Sequence, residues 1–190
     1  MRAVLPLLVL PLMLTACPKK GATSHTGGTV TEKALPEEGM ILQEVDLDGN
    51  GRPEIRNFFR ERTGGTRVMT RKEIDIDLDG KVDIVTLFDE DGQIKTEQID
   101  SDFDGVFDWT DHYKDGARVL AESDTNFDGK PDIFSYYAIG DDGRPRLDRK
   151  ERDTNGDGLI DFWERFDSEG HVVRSGRDTD GDGKMDERDE

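Results

Sequence analysis

Residues 75–100 read DIDLDGKVDIVTLFDEDGQIKTEQID, and this stretch decides the fold. It opens on Asp75, Asp77 and Asp79, turns at Gly80 and closes a nine-residue loop at Asp83. A β-branched and aromatic run, Ile84-Val85-Thr86-Leu87-Phe88, follows, then the turn signal Asp89-Glu90-Asp91-Gly92 and a second extended run into Asp100. There the pattern starts again. Six copies occur, with oxygen-bearing side chains at loop positions 1, 3, 5 and 9: Asp46, Asp48, Asn50 and Glu54; Asp75, Asp77, Asp79 and Asp83; Asp100, Asp102, Asp104 and Asp108; Asp124, Asn126, Asp128 and Asp132; Asp153, Asn155, Asp157 and Asp161; Asp178, Asp180, Asp182 and Asp186. Their starts lie 29, 25, 24, 29 and 25 residues apart, so an internal repeat governs the architecture.

The loop chemistry follows from the needs of a hard cation. Ca2+ takes about six to eight oxygens at about 2.3–2.6 Å, and positions 1, 3 and 5 of a tight loop converge if position 6 turns sharply. Position 6 is Gly in all six copies, as a backbone at positive φ requires. The first nine positions of each loop resemble the EF-hand motif, and also the aspartate-rich loops of thrombospondin type 3 repeats and dockerin modules. That resemblance implies several bound Ca2+ ions, up to about six, with Mg2+ less suited because it demands strict octahedral geometry. An EF-hand also needs flanking helices and a bidentate Glu at position 12. Position 12 here is Asn57, Thr86, Asp111, Ser135, Glu164 and Asp189, so only the fifth loop, through Glu164, matches the full pattern.

The segments between loops predict an all-β chain of tandem hairpin repeats of about 25 residues, elongated or solenoid-like. Superposed, Ile55, Ile84, Trp109, Ile133 and Phe162 share one register, and Phe59, Phe88, Tyr113, Tyr137 and Phe166 follow four residues later. Equal parity puts both sets on one strand face. Second strands add Met69, Ile94, Leu147 and Val172, with Arg118 as the exception. Four-residue spacing also suits an EF-hand-like α arrangement with short helices, the alternative; the closely following Gly turns favour strands. The repeated aromatics read as a packing stripe. Trp163, Phe134 and Tyr136 sit on the opposite parity and are the candidates for meeting a ligand.

Composition narrows the function. The 190 residues carry 44 acids against 26 Lys and Arg, a formal charge of −18, which excludes nucleic acid as a natural partner. Only 33% are apolar, too few for a large core. Twenty-one of the acids lie in the six loops. Without Arg2 the chain has 25 basic and 44 acidic residues, a charge of −19, which six Ca2+ would bring to −7.

The N-terminus reads as an export signal over residues 1–16: Arg2, then an apolar stretch over residues 3–14 interrupted by Pro6 and Pro11. Twelve residues rise about 18 Å as a helix, short of a hydrocarbon core of about 30 Å. Leu14-Thr15-Ala16-Cys17 resembles the lipobox of bacterial lipoproteins, which implies cleavage before Cys17, the only cysteine, and its lipidation. The expected location is the cell envelope, anchored in a membrane by that lipid; Pro18 and Lys19 favour the outer over the inner membrane. Residues 17–40, which include His25, read as a flexible tether, and residues 41–190 as the six-loop repeat domain.

No GxSxG, HExxH or P-loop is present, and carboxylates that repeat one role six times argue against catalysis. His112 and His171 have no second histidine or cysteine nearby in sequence. Arg146, Arg149, Lys150 and Arg152 read as cross-strand neutralisers, with anionic glycans as the sharper option. The expectation is a non-enzymatic, calcium-binding surface lipoprotein, a scaffold stabilised by Ca2+. The alternative is a calcium-dependent adhesin or surface-glycan binder, with an envelope protein or glycan as partner.

Overall fold

Each repeat holds two runs of β-favouring residues separated by a Gly turn, and each run becomes a strand. The computed structural model describes residues 27–189. Thirteen strands form one antiparallel sheet in simple sequence order: β1 (Thr29–Leu35), β2 (Met40–Asp46), β3 (Ile55–Glu61), β4 (Arg67–Ile74), β5 (Ile84–Phe88), β6 (Ile94–Ile99), β7 (Trp109–Lys114), β8 (Ala117–Ser123), β9 (Ile133–Ile139), β10 (Pro145–Arg152), β11 (Phe162–Phe166), β12 (Val172–Arg177) and β13 (Glu187–Asp189). Every strand pairs with its chain neighbours and β1 does not meet β13, so the sheet is open and a single layer thick. All elements of the described residues are strands, which overturns the EF-hand-like α alternative. Its physical reason is in the turns: a Gly at positive φ such as Gly92 (φ 82°) closes the hairpin after only five residues of β5, too soon for an amphipathic helix.

A meander of this kind sends all acidic loops to one edge of the sheet and all hairpin turns to the other. Near the loop edge, one face carries an unbroken line of cross-strand partners: Val45, Ile55, Ile74, Ile84, Ile99, Trp109, Ser123, Ile133, Arg152, Phe162 and Arg177. Where arginines enter this line they lie over the Phe162 ring, Arg152 at 5.6 Å and Arg177 at 4.9 Å from its centroid. Nearer the turns, Phe59 faces Met69, Phe88 faces Ile94, Tyr137 faces Leu147 and Phe166 faces Val172. Arg118 keeps the register opposite Tyr113, contacting Asp111 at 3.5 Å and lying 5.3 Å from the Tyr137 ring centroid. Five hairpins, from β3–β4 to β11–β12, carry a one-residue register shift between these two apolar rows, and a bulge there strengthens the local twist.

With no second layer, few apolar side chains are fully covered: Leu42 and Phe58, paired on the opposite face, and Ala121. Stability therefore rests on the hydrogen-bond ladder and on cross-strand contacts, each contributing about 0.2–1 kcal/mol. Arg71 stacks on Phe58 and Arg149 on Tyr136, each 4.0 Å from the ring centroid.

The sheet begins earlier than expected. Thr29–Leu35, assigned above to the tether, is strand β1 and pairs along its whole length with β2. Its residues are nearly all exposed, so no buried face marks it in sequence; β2 supplies the partner. The export signal, the lipobox, Cys17 and His25 lie outside the described residues.

Candidate metal centres

Six acidic loops join β2 to β3, β4 to β5, β6 to β7, β8 to β9, β10 to β11 and β12 to β13, and all use one internal bonding scheme. The position-1 carboxylate accepts the backbone N–H of position 6 through one oxygen: Gly51 to Asp46 at 2.8 Å, Gly80 to Asp75 at 2.9 Å, and Gly105, Gly129, Gly158 and Gly183 to Asp100, Asp124, Asp153 and Asp178 at 2.7 Å. In five loops the other oxygen accepts position 4, for example Leu78 to Asp75 at 2.8 Å. The side chain at position 3 caps position 5 and that at position 5 caps position 7, as in Asp79 N–H to Asp77 and Lys81 N–H to Asp79.

Position 9 closes the loop. Its carboxylate accepts the N–H of position 2 in every copy, from Leu47 to Glu54 at 2.5 Å through to Thr179 to Asp186 at 3.0 Å. Ser101, Thr125, Thr154 and Thr179 add a hydroxyl bond to the same carboxylate, a contribution missed in the sequence although Ser or Thr at position 2 of four loops was its signal. Two left-handed residues fold the backbone inward: position 6, with φ from 78° to 97°, and position 4, with φ from 58° to 79°. Glycine takes position 4 in loops 1, 5 and 6, whereas Leu78, Phe103 and Phe127 adopt it in loops 2 to 4.

This scheme brings acids together. Oxygens of Asp46, Asp48 and Glu54 lie within 4.8 Å of one another, as do those of Asp75, Asp77 and Asp83, of Asp100, Asp102 and Asp108, and of Asp178, Asp180 and Asp186. Two unit charges at 4.8 Å repel by about 0.9 kcal/mol in water and about 3.5 kcal/mol at an effective dielectric of 20. In the first three groups positions 1 and 9 are buried and position 3 is exposed, so each has one side open to solvent. Loops 4 and 5 place Asn126 and Asn155 at position 3, leaving Asp124 and Asp132, and Asp153 and Asp161, at the other two positions. The position-5 acids Asp79, Asp104 and Asp182 do not join the converging groups; they and Asn50, Asp128 and Asp157 cap position 7. Glu164 lies on β11, its carboxylate held by Arg152 at 2.6 Å, and residues 57, 86, 111, 135 and 164 stand in the middle of the sheet. In loops 1 to 5 the position-12 residue thus stands on a strand away from the loop, and in the four loops with converging acids position 9 brings the third carboxylate.

Electrostatics differ along the row. The Asp102 carboxyl is pushed above its usual value by desolvation and by the charges of Asp104, Asp100 and Asp108, against the N–H bond from Asp104. Asp186 is held below its usual value, first by the N–H and then by the hydroxyl of Thr179. Consecutive loops are also stitched together: the N–H of each position 1 donates to the position-9 carbonyl of the loop before, Asp75 to Glu54, Asp100 to Asp83 and Asp124 to Asp108 at 2.8 Å, Asp153 to Asp132 at 2.9 Å and Asp178 to Asp161 at 3.0 Å. Centres two strands apart repeat about every 9.6 Å, close to the Debye length of about 8–10 Å in ordinary salt.

Such centres offer only hard oxygen donors, which suit Ca2+ or Mg2+ and give no thiolate or imidazole for softer metals. His112 instead meets Glu122 at 3.1 Å on the sheet, and His171 lies in a hairpin turn beside Asp167 at 3.4 Å. No protein-family model matches the chain, and no curated protein is detectably similar to it in sequence, so the geometry of the loops is what defines this row of candidate cation centres.

Proposed function

We propose that the chain is a non-enzymatic, calcium-binding lipoprotein of a bacterial envelope, a scaffold whose sheet is tightened by Ca2+ in its repeated loops. The observation that carries this reading is the convergence of three carboxylates within 4.8 Å in four loops built on one bonding scheme. A divalent ion there would remove the repulsion that the fold otherwise sustains. Positions 1, 3 and 9 would hold it, with Asn126 and Asn155 giving neutral oxygens in loops 4 and 5 and water completing the shell. Ions bound only by the folded chain stabilise it by mass action, and sites of about 0.1–1 mM suffice at extracellular calcium levels. Lipidation at Cys17, on the lipobox-like pattern, would supply the anchor.

Isothermal calorimetry of Ca2+ into the Cys17→Ser protein without its signal segment, with circular dichroism before and after chelation, tests the reading. Several ions bound, together with a β signal weakened by chelation, are the expected result. No uptake up to several millimolar, where weak extracellular modules still bind, would reduce the loops to turns.

A second reading, calcium-dependent adhesion to a surface glycan, is favoured by the face opposite the aromatic stripe. There Phe134 pairs with Glu151, Glu151 with Trp163 and Trp163 with the buried Gly176, and Arg149 covers Tyr136. Glycan-array binding lost both in EDTA and in Trp163→Ala would favour it.

A further inference from the structure

We propose that the loop edge is a calcium-dependent docking edge for an anionic phospholipid surface. The inference rests on the calcium reading above and gives it a direction. Of the thirteen large apolar residues that stand exposed among the described residues, six lie on loops 1 to 4: Leu47, Ile76, Leu78, Phe103, Val106 and Phe127. Exposed apolar side chains gathered in one place mark contact surfaces.

Three of them are held there against backbone preference. Leu78, Phe103 and Phe127 occupy position 4 at φ 69°, 64° and 58° while 54%, 40% and 54% exposed. Glycine serves the same position in loops 1, 5 and 6, and left-handed backbone disfavours branched or bulky residues. Backbone geometry does not account for them, and neighbouring loops cover only part of each, Leu78 beside Arg52 and Glu54 of loop 1 and Phe127 beside Val106 and Asp108 of loop 3, so the remaining apolar surface is open to contact outside the chain.

The occupant follows from shape, connection and charge. A single-layer sheet presents its loop edge as a narrow ridge, which a fluid lipid surface can follow, whereas a stable protein interface needs a broad complementary area of about 800 Å2 per partner. The N-terminal segment leaves the sheet at this same edge: Thr29 pairs with Asp46, and a Cβ on Gly28 would stand 2.5 Å from the Asp46 carbonyl oxygen and 2.9 Å from that of Leu47. Cys17, which would carry the lipid anchor, is therefore connected to the loop edge rather than the turn edge. Bare carboxylates would repel anionic headgroups; ions in the loops offset part of that charge and, through the side each loop leaves open to solvent, would bridge to lipid phosphate, while the apolar tips enter the headgroup boundary.

The test uses the full chain reconstituted on vesicles of brominated phosphatidylcholine with phosphatidylserine, with a reporter tryptophan at the loop edge (Phe103→Trp or, independently, Phe127→Trp) or at the turn edge (Phe88→Trp). Calcium should remove about half of the added emission at 103 and 127, as expected for a side chain about 5–10 Å into the boundary, leave 88 unchanged, and be reversed by EDTA. Calorimetry on the same vesicles separates the outcomes. Ions bound without quenching at either loop position would overturn the lipid edge and leave the calcium reading standing. No ions bound would remove both. Quenching that persists in EDTA would overturn the ion bridge, and calcium-driven self-association without quenching would give the ridge to a second copy of the chain.

Discussion

Replacing Asp83 by Asn tests whether the loop carboxylates serve an ion or only the backbone. Asp83 is 1% exposed, accepts the N–H groups of Ile76 at 2.5 Å and Asp77 at 3.2 Å, and lies within 4.8 Å of Asp75 and Asp77. The amide keeps an acceptor oxygen, so the two N–H bonds weaken from charge-assisted to neutral, a loss of about 1 kcal/mol each. Removing the charge relieves two repulsions that together reach about 1.7 kcal/mol even at the dielectric of water, and more at lower effective dielectric. After chelation, the variant should therefore range from about neutral, at the dielectric of water, to about 5 kcal/mol more stable than the parent, at an effective dielectric of 20. With Ca2+ at twenty times a dissociation constant of about 0.1 mM, an intact site adds about 1.8 kcal/mol, which the variant forfeits. For a chain of this size the calcium-induced rise in Tm should shrink by about 4–7 °C. Thermal melts of both proteins, chelated and at 2 mM Ca2+ (about the extracellular regime of weak sites), read both quantities. Equal calcium responses, or a chelated variant destabilised by well over 2 kcal/mol (about the upper range for unmaking a buried acceptor), would show that Asp83 is a backbone cap and no more.

Other expectations follow from the sheet and its turns. Arg149→Ala removes the cation over Tyr136 and a charge contact to Glu151 at 3.1 Å whose angle falls short of a hydrogen bond. Since Arg149 is half-exposed, the loss should be about 1 kcal/mol, with calcium uptake in calorimetry unchanged; altered uptake would mean that the sheet transmits strain to the loops. In the chelated protein, carboxyl-resonance titrations should find Asp142 and Asp167 below the ordinary value of 3.8, held down first by the N–H groups of Arg144 and His171, and Asp102 above it. The signs oppose: Asp142 and Asp167 give stability that is present above the unfolded value and lost as pH falls through their lowered values. The raised Asp102 disfavours the fold while ionised and is relieved as it protonates. The reverse order of titration would contradict the loop-3 electrostatics.

Much of this architecture is legible in residues 75–100, because a period-two pattern, a Gly turn and an acidic loop recur often enough to be superposed. The register is the clearest case: Phe59 with Met69, Phe88 with Ile94, Tyr137 with Leu147 and Phe166 with Val172 are direct cross-strand partners. β1 escaped notice because an edge strand in a single-layer sheet buries almost nothing, and burial is what writes a strand into sequence. In the loops, the spacing marks which residues carry oxygen but not which way each points. Asp79, Asp104 and Asp182 match a ligand position in pattern and stand outside the converging trios, with one oxygen of each capping position 7, as the side chains of Asn50, Asp128 and Asp157 also do. Glu164 likewise completes a motif in one dimension and meets Arg152 in three.

Strict pairing of each strand with its chain neighbours makes this molecule modular in length. Ile74 and Ile99 precede consecutive loops in equivalent places, so excising residues 75–99 would join Ile74 to Asp100 with the sheet's register unbroken. What would change is reach: one hairpin fewer shortens the ridge by about 9.6 Å and removes one charge-bearing rung. Evolution can therefore tune how far such a chain extends by counting units, with no core to redesign.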